Sequence, residues 1–379
     1  MNILALEPYY GGSHKAFIDG LVRVSKHNWT LLTLPAHKWK WRMRHSAITF
    51  ASQVSELTEK NQSWDLLFCN DMLNLAEFVG LAPAGITELP KVIYFHENQL
   101  TYPVRVEDER DYQLAMTNLT SALAADAVWF NSQFHLDSFL DALVKFLKSM
   151  PDYQPLEAIE KIRAKSSIRP PGIMDFPTRK AREPGSLRIL WTARWEHDKN
   201  PDDFFKALEI LKAKNVPFRI CVIGQSFRDR PAVFDQAHND FRDYIDYWGY
   251  QKSREDYERI LSEADVVVST ANHEFFGISV IEAVAAGAYP LVPDRLSYPE
   301  ILGLGRIEGT KQFFYDGTAR NLADKLCQLA ARIQKDALWP TGISSSILTD
   351  HFKWHKLASR YDNALEQICL RKIIDQNHK

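Results

Sequence analysis

The sequence lacks several patterns that mark other classes of protein. Its four cysteines have no C-x-x-C spacing and most stand in apolar surroundings, so we expect reduced, buried thiols rather than disulfides or a metal site. No apolar stretch approaches the roughly 18–20 residues of a membrane span. The short apolar start lacks a preceding basic region and meets Glu7 and Pro8 at once, which favours a buried strand over a signal peptide. We therefore expect a cytosolic protein without a membrane partner.

An excess of one charge is also missing. The chain has 46 Lys and Arg against 48 Asp and Glu, a formal net charge of −2, so any site for a polyanion has to be a local patch. A hydrophobic content of 45% with 25% charged residues is ordinary for a globular protein and argues against disorder. At 379 residues the chain exceeds the size at which one core keeps growing, which predicts two domains.

Short apolar runs alternate with amphipathic stretches in two series along the chain. In the first series, runs typical of buried strands cover residues 2–6, 29–34, 65–69, 91–95 and 127–130. In the second they cover residues 187–192, 218–223, 245–248, 265–269 and 289–292, with helical patterns at 202–214, 254–263 and 278–286. Two such series predict two doubly wound parallel sheets of the α/β class, with ligands at the carboxyl ends of the strands.

A Pro-Pro-Gly break at Pro170, Pro171 and Gly172 separates the two series. Prolines restrict their own backbone and that of the residue before them, which makes this break the expected hinge. We therefore predict a Rossmann-like N-terminal domain over residues 1–168 and a second Rossmann-like domain over residues 169–350. The last segment, residues 351–379, carries apolar side chains at helical spacing and is predicted to be a helix.

The most informative motif lies in residues 272–287. A predicted strand ends before Glu274, and Gly277 opens a helix that carries Glu282 about one turn in. Helix starts leave N–H groups unpaired and carry partial positive charge, which suits a diphosphate or a sugar oxygen, and the flanking carboxylates can bind sugar and ribose hydroxyls. The alternative, a capped helix with a solvated glutamate, is weaker in this strand–loop–helix context. The predicted anion-binding site, called the anion seat below, consists of the backbone amides of Gly277, Ile278 and Ser279.

Two cations follow the first strand of the second series. Arg194 and Lys199 stand in the loop before the helix that Pro201 opens. Negative charge develops on a diphosphate as it leaves a sugar, and cations at the end of a strand can neutralise that charge. An Arg-x4-Lys spacing alone usually marks a solvated loop, but together with the anion seat it indicates a phosphate site.

These motifs together resemble the retaining glycosyltransferases of family 4. That family has the GT-B fold, in which two Rossmann-like doubly wound domains face a cleft and a C-terminal helix crosses back to the first domain. The resemblance implies that the second domain binds a sugar nucleotide, with Arg194 and Lys199 on the phosphates. It implies that Glu274 meets the donor sugar and Glu282 the ribose. It also implies that no metal or other cofactor is needed, and no metal-ligand spacing stands out in the sequence.

The part of the chain before the Pro-Pro-Gly break contains three long, uncommon strings: Leu6-Glu-Pro-Tyr-Tyr-Gly-Gly-Ser-His-Lys, Leu34-Pro-Ala-His-Lys-Trp-Lys-Trp-Arg-Met-Arg-His and Tyr94-Phe-His-Glu-Asn-Gln-Leu-Thr-Tyr-Pro. Together they resemble a small branch of family 4, the tRNA-queuosine mannosyltransferases. This resemblance spans the chain and implies GDP-mannose as the donor and the queuosine of tRNA for aspartate as the acceptor. Two alternatives stay open: a family 4 transferase with another donor or a glycan or lipid-linked acceptor, and a silent nucleotide-sugar or RNA-binding protein.

The first string places Gly11 and Gly12 in a predicted loop after the first strand. Glycine lets a backbone approach a phosphate closely, which makes both residues candidates for donor binding. The alternative is a plain tight turn. His14, on the same predicted loop, is a further polar candidate.

The third string places His96 at the end of a predicted strand, followed by Glu97, Asn98 and Gln99. Polar side chains at the carboxyl end of a parallel strand face the ligand. The resemblance implies that His96 contacts the donor sugar, so that transfer would depend on both domains. The alternative is a histidine bonded within its own loop.

The second string alternates basic and apolar side chains over residues 37–45. If the segment is extended, cations lie on one face and two indoles on the other, an arrangement that suits phosphates and unpaired bases. If it is helical, the charges surround a solvated surface and the tryptophans belong to the core. With the resemblance we expect RNA or acceptor contacts from Lys38, Trp39, Lys40, Trp41, Arg42, Arg44, Asn98 and Gln99.

Overall fold

The computed structural model describes residues 1–104, 110–177, 179, 182, 185–227, 229–335 and 338–377. The chain divides into two compact units: unit 1 consists of Met1–Gly172 and Trp354–Lys379, and unit 2 of Ile173–Lys353. The domains predicted at residues 1–168, 169–350 and 351–379, with the functions attached to them, stay predictions. Among the described helices, none is both long and apolar enough to span a membrane.

Unit 1 is built on a parallel sheet with the strand order β2-β1-β3-β4-β5-β6 among its described residues. Parallel strands buried on both faces read as continuous apolar runs, and β3 and β4 are buried along their whole length. The chain leaves β1 toward β2 and then returns to β3 on the other side, so the switch point of the sheet lies between β1 and β3. The strands are β1 (Asn2–Tyr10), β2 (Asn28–Pro35), β3 (Leu66–Asn70), β4 (Lys91–Phe95), β5 (Ala127–Phe130) and β6 (Ser166–Ile168).

The helices of unit 1 bury one face each against this sheet. Helix α1, for example, buries Phe17, Ile18 and Leu21, and α6 begins where the hydroxyl of Ser132 accepts a hydrogen bond from the amide of His135, a typical N-cap. The helices are α1 (Gly12–Val24), α2 (Trp39–Glu59), α3 (Leu75–Leu81), α4 (Ala84–Thr87), α5 (Tyr112–Ala124), α6 (Gln133–Lys148), α7 (Glu157–Ala164) and the final α15 (Trp354–Asn377).

Unit 2 repeats the architecture with the strand order β12-β11-β10-β7-β8-β9. Its switch point lies between β7 and β10, which pair in parallel register. The strands are β7 (Leu187–Thr192), β8 (Phe218–Ile223), β9 (Ile245–Gly249), β10 (Val266–Val268), β11 (Tyr289–Pro293) and β12 (Phe314–Tyr315). The helices are α8 (Pro201–Ala213), α9 (Val233–Asp240), α10 (Arg254–Glu263), α11 (Ile278–Ala285), α12 (Tyr298–Ile301), α13 (Ala319–Ile333) and α14 (Ser345–Thr349).

The final helix α15 packs within unit 1. A Cβ on Gly20 or Gly172 would lie 2.1 or 2.2 Å from the Trp354 ring, so both glycines leave room for this indole. The hydroxyl of Tyr361 donates to the backbone oxygens of Arg169 and Pro170 at 3.0 and 2.9 Å. The last helix therefore packs with the first domain, as the resemblance implies.

The doubly wound class and the two series of strands are confirmed. The main correction concerns the loop after β1, because this strand runs on to Tyr10 instead of ending at residue 6. The loop is reduced to a turn at Gly11, and α1 starts at Gly12. His14 therefore lies in the first turn of α1 and is buried, not on a loop.

Candidate functional site

The residues predicted from the second series meet at the carboxyl ends of β7 and β10. The loop after β7 carries Arg194 and Lys199, and the loop after β10 carries Glu274 and leads into α11. The strand order makes β7 and β10 neighbours and brings these loops together at the switch point, where doubly wound sheets bind ligands. A small cleft there is lined by Trp191, Thr192, Ala193, Lys199, Val268, Ser269, Glu274, Ser279, Val280 and Tyr298.

Lys199 and Glu274 form an ion pair at the base of this cleft. The Nζ atom of Lys199 lies 3.3 Å from an Oε atom of Glu274 and 3.1 Å from the carboxylate of Asp198, and it donates to the backbone oxygen of His273 at 2.7 Å. The Lys199 side chain is only 9% exposed, whereas that of Glu274 is 26% exposed. Lys199 is thus held in place by several neighbours, and Glu274 is the more exposed member of the pair.

The ionised forms of this pair are favoured. Burial alone would raise the pKa of Glu274, but Lys199 and His273 hold that pKa below its ordinary value. Burial opposes the charge on Lys199 as well, yet Glu274 and Asp198 hold the Lys199 pKa above its ordinary value. The neighbouring His273 has its pKa lowered to about 4 by burial and by Lys199. Between pH 6 and 9 the cleft therefore presents a fixed pattern of charge.

The turn at Gly277 sets the start of α11. Gly277 has φ of 82°, the left-handed region that favours glycine, and a Cβ there would lie 2.9 Å from the Tyr298 ring. The Tyr298 hydroxyl lies 2.6 Å from Oγ of Ser269, which fixes the ring against the turn. The amides of Ile278 and Ser279 precede the first hydrogen bonds of the helix, which run from the amides of Val280 and Ile281 to the Gly277 oxygen at 3.0 and 3.1 Å, and anion binding by Gly277, Ile278 and Ser279 stays a prediction. The Ser279 hydroxyl donates to the Thr192 backbone oxygen at 2.9 Å.

Glu282 lies on α11 beside α10. Its carboxylate accepts from the Tyr257 hydroxyl at 2.8 Å and from Arg254 at 3.3 Å. Burial raises the Glu282 pKa, and Arg254 and Tyr257 oppose that rise. Glu282 is thus an oriented carboxylate with a 14% exposed side chain, and Arg254 and Tyr257 are partners that the motif alone does not reveal.

Arg194 differs from Lys199 in its setting. It is exposed, and it lies 3.3 Å from the carboxylate of Glu196. The two cations predicted to share a role therefore occupy different depths of one loop. Lys199 is buried at the base, and Arg194 is on the surface.

A second polar cluster lies at the switch point of unit 1. Glu7 near the end of β1 and His14 on α1 approach within 3.5 Å, and both are almost fully buried. The amide nitrogen of Asn70, at the end of β3, donates to the Glu7 carboxylate and lies 3.1 Å from Nδ1 of His14. Although burial opposes its charge, Glu7 raises the His14 pKa to about 9. The Glu7 carboxylate therefore favours the charged form of His14.

His96 completes this unit 1 cluster. Its ring stacks on that of His14 with 4.1 Å between the centroids, and its backbone amide donates to Asp71 at 2.9 Å. Burial first, and then the charge on His14, hold the His96 pKa well below its ordinary value. Neither Nε2 of His96 nor one carboxylate oxygen of Asp71 has a hydrogen-bond partner among the described residues. The alternative of a histidine satisfied within its own loop is not what the structure shows.

The side chains of Asn98 and Gln99 lie in the loop after β4. Asn98 is fully buried, bonds to Thr101, and accepts from the amides of Leu100 and Thr101. Gln99 is 6% exposed, and its side-chain amide lies 3.3 Å from Glu97. Both residues shape the loop, and their predicted contact with an acceptor stays a prediction that this burial does not favour.

The two glycines after β1 differ in their surroundings. A Cβ on Gly11 would lie 2.4 Å from Cβ of Ala36, so that glycine is needed for packing against the end of β2. Gly12 has φ of 52° and open space around the position of a Cβ. Gly12 is exposed and Gly11 is half-buried, and donor binding by either residue stays a prediction.

Residues 39–45 are helical, so the extended arrangement of residues 37–45 is wrong. Helix α2 begins after Lys38, which has φ of 52°. The prediction that the tryptophans of a helix would be core is also wrong for Trp41, which is 59% exposed and packs on His45; Trp39 is half-buried. The exposed cations beside Trp41 are Lys38, Lys40 and Arg44, while Arg42 is half-buried and donates to the Pro35 backbone oxygen.

One group of described residues has the donor types of a metal site. Donor atoms of Glu7, His14 and His96 all lie within 4.8 Å of one another. A bound zinc requires nitrogens that converge on one point about 2 Å away, whereas these imidazole rings are stacked, tilted by 31°. The Asn70 amide already lies against Nδ1 of His14. We therefore interpret the group as a proton-binding cluster, and the absence of a metal requirement stays a prediction.

Sequence reasoning missed the residues that hold the predicted ones. In unit 1 the rule that ligand-facing side chains end parallel strands would also have pointed to Asn70 and Asp71 after β3. In unit 2 no local signal marks Tyr257 or Tyr298, because each meets its partner only through the packing of elements distant in sequence. Tyr257 on α10 contacts Glu282 on α11, and Tyr298 on α12 contacts Ser269 after β10.

Comparisons with known proteins identify the family of each part of the chain. Residues 2–173 match the family model for the N-terminal part of tRNA-queuosine alpha-mannosyltransferase, and residues 176–334 match that for glycosyl transferases group 1. The chain is 39% identical over 312 residues to the tRNA-queuosine alpha-mannosyltransferase of Drosophila melanogaster, an alignment covering 79% of this chain and 81% of the relative.

Solved structures share the whole fold at low identity. Sucrose-phosphate synthase from Thermosynechococcus elongatus superposes with a TM-score of 0.71 at 14% identity, over 97% of this chain and 99% of the other. Anabaena HepE, determined in complex with UDP and glucose, superposes with a TM-score of 0.66 at 15% identity, over 97% of this chain and 100% of the other. At these identities the likeness shows the fold alone.

The two parallel-sheet units and the group 1 match together define a glycosyltransferase of the GT-B fold. The chain belongs to the tRNA-queuosine alpha-mannosyltransferase family.

Proposed function

We propose that this enzyme transfers mannose from GDP-mannose to the queuosine of tRNA for aspartate, with retention at the anomeric carbon. Family membership supports the reaction and the acceptor. The observation that carries the proposal is the ion pair of the buried Lys199 with the partly exposed Glu274 beside the start of α11. It joins a fixed cation, a fixed carboxylate and unpaired amides at one switch point, which suits a nucleotide diphosphate joined to a sugar.

Each part of the donor has a matching group in unit 2. Lys199, Arg194 and the amides of Gly277, Ile278 and Ser279 supply positive charge for the diphosphate. Glu274, ionised and partly exposed, accepts hydrogen bonds from sugar hydroxyls. Glu282, already oriented by Tyr257, accepts from the ribose.

The transfer step needs no covalent intermediate with the enzyme. The acceptor oxygen forms its bond to the anomeric carbon on the face from which the diphosphate oxygen departs, and the acceptor proton passes to that departing oxygen. Negative charge grows on the leaving group, where Lys199 and Arg194 stabilise it more in the transition state than in the ground state. The resemblance assigns His96 to the donor sugar, which we retain as part of the proposal.

The exposed surface at the start of α2 supports an RNA acceptor. Trp41 is 59% exposed, and an exposed indole offers a stacking face to an unpaired base. Lys38, Lys40 and Arg44 stand around it on the surface and suit the phosphates of a loop. This surface is a local patch on a chain of nearly neutral net charge.

A transfer assay with a donor panel and an acceptor panel tests the proposal. Purified protein is incubated with radiolabelled GDP-mannose, GDP-glucose, UDP-glucose or UDP-galactose, and with queuosine-containing tRNA for aspartate. The same tRNA with guanosine in place of queuosine, other queuosine-containing tRNAs and a membrane extract serve as acceptor controls. We expect label to be transferred only from GDP-mannose and only to the queuosine-containing tRNA for aspartate. We expect EDTA to leave the rate of this transfer unchanged.

Other results would overturn defined parts of the proposal. Label in lipid extracts but not in tRNA would replace the acceptor, and transfer from a UDP-sugar would replace the donor. Tight binding of tRNA and GDP-mannose without any transfer would indicate a silent binding protein. A loss of activity in EDTA that Zn²⁺ or Mg²⁺ restores would contradict the expectation that no metal is needed.

A further inference from the structure

The histidine that the proposed function assigns to the donor sugar is built into a larger unit. His96 stacks on His14 with 4.1 Å between the ring centroids and meets the Phe17 ring edge-on at 5.0 Å. His14 in turn lies 3.5 Å from Glu7. Asn70 and Asp71, adjacent at the end of β3, hold Glu7 and the backbone of His96 respectively. Strands β1, β3 and β4 thus converge on one imidazole.

The charges around His96 come from several elements. The paired Glu7 and His14 belong to β1 and α1, and the second histidine that opposes charge on His96 belongs to α6. The carboxylates of Asp71 and Glu97 face His14 from the ends of β3 and β4. The titratable groups around the two stacked rings are therefore Glu7, Tyr9, Asp71, Tyr94, Glu97 and His135.

We propose that Glu7 and His14 are positioning residues for His96: their ion pair stacks against the His96 ring, fixes its orientation and opposes its protonation. The inference rests on the proposed function, which assigns His96 to the donor sugar. The geometry is specific, because an imidazolium stacked at 4.1 Å repels a second charge on the facing ring. Glu7 compensates the charge of His14, so the pair as a whole stays near neutral.

The chemistry of transfer gives this arrangement a purpose. The sugar acquires oxocarbenium character as the diphosphate leaves, and a protonated imidazole against that sugar would oppose the growing positive charge. A neutral imidazole keeps a lone pair available at one nitrogen. The direction of the pKa shifts agrees, since the His14 pKa is raised to about 9 while that of His96 is held well below its ordinary value.

Titration of His96 by NMR tests the inference without any substrate. The full chain carries ¹³Cε1-labelled histidine, the His96 signal is assigned from His96→Gln, and spectra are recorded between pH 5 and 9. In the wild type we expect His96 to stay neutral across this range. In His14→Gln the stacked charge is gone and Glu7 is unpaired, so the His96 pKa rises by about one unit or more, a tenfold change in proton affinity.

A charge-balanced variant separates the electrostatic effect from a structural one. In Glu7→Gln/His14→Gln the unpaired carboxylate is removed too, so the His96 pKa rises less than in His14→Gln alone. His238→Gln, which removes an exposed histidine of unit 2, leaves the His96 signal unchanged. If His14→Gln does not fold, Glu7→Gln still tests the pair, because the His14 pKa must then fall clearly below about 9.

Activity gives a second readout that distinguishes this inference from the proposed function. In His14→Gln a pKa raised by one unit brings His96 protonation to the acid end of this range, so we expect transfer to fall about twofold relative to the wild type at pH 5 and to recover at pH 8.5. A His96 pKa that does not move in folded His14→Gln overturns the inference and leaves the proposed function intact. Absence of transfer to queuosine by the wild type overturns the proposed function, while the NMR titration still decides whether the pair controls His96.

Discussion

The two units place polar residues at the same topological position but use different chemistry there. In unit 2 the switch point between β7 and β10 carries Lys199 and Glu274, whose charges are fixed across the neutral range. In unit 1 the switch point between β1 and β3 carries Glu7, His14 and, through β4, His96, and there the pKa of His14 is raised to about 9 while that of His96 is held well below its ordinary value. The fold supplies the position, and the residues that end the strands decide which charges and protonation states it holds.

The difference has opposite consequences for stability against pH. The His14 pKa is raised to about 9 from 6.5, so its stabilising contribution is fully present below pH 6.5 and lost as the pH rises through 9. Burial raises the Asp71 pKa to about 8, so the contribution of Asp71 to stability is likewise lost as the pH rises. In unit 2 the His273 pKa is lowered to about 4, so its contribution is present above pH 6.5 and lost as the pH falls through 4. The Glu7–His14 pair of unit 1 is therefore sensitive to alkali, whereas His96 beside it, with its pKa held well below its ordinary value, has the opposite dependence.

The largest effect is expected from Glu274→Gln, which removes the fixed charge of unit 2. The amide loses the carboxylate that contacts the sugar and pairs with Lys199, so kcat falls on the order of 10²–10³-fold. Steady-state transfer assays measure this, with Glu209→Gln, an exposed glutamate on α8, as the matched control. If a folded Glu274→Gln protein kept the wild-type kcat, Glu274 would not be a catalytic residue.

A second test uses pH to compare the clusters. Glu7→Gln breaks a buried ion pair, which costs on the order of 3 kcal/mol where the pair is charged. Because His14 is already neutral well above pH 9, the cost has to shrink as the pH rises from 6.5 through 9. Thermal melts of wild type and Glu7→Gln at pH 6.5 and 9.5 measure the difference in Tm.

A matched variant in unit 2 completes that comparison. His273→Gln removes a histidine held neutral by burial, so its Tm relative to wild type has to improve as the pH falls from 6.5 toward 4. The same Tm difference for Glu7→Gln at both pH values would contradict the protonated state of His14.

The smallest effect is expected at the surface of unit 1. Trp41→Ala removes a stacking face worth about 1–3 kcal/mol per base, so KM for tRNA rises about tenfold while KM for the donor stays unchanged. Ile48→Ala removes an exposed apolar side chain from the same helix and serves as the control. Equal KM values for Trp41→Ala and Ile48→Ala would move the RNA surface elsewhere.

The amino-acid sequence by itself determined the alternation of strands and helices and the ends of most strands. Apolar runs bounded by polar residues encode these local features, so Glu274 and His96 were found from their place after a strand. Strands β6 and β12 were missed, because β12 has only 2 residues and β6 reads Ser-Ser-Ile, which is no apolar run. Strand β10, also of 3 residues, was found from its three consecutive valines. The left-handed backbone at Lys38 was not predictable either, because a lysine does not favour that conformation.

Only the tertiary structure decided which of these residues touch. Lys199 and Glu274 are 75 positions apart, and Asn70 and Glu7 are 63 positions apart. The strand order that joins each pair follows from how the whole chain winds around the switch points. A local pattern cannot encode that order, because the free energy that selects it comes from packing the complete core. The sequence therefore determined the candidates, and the fold determined their partners, their burial and their protonation.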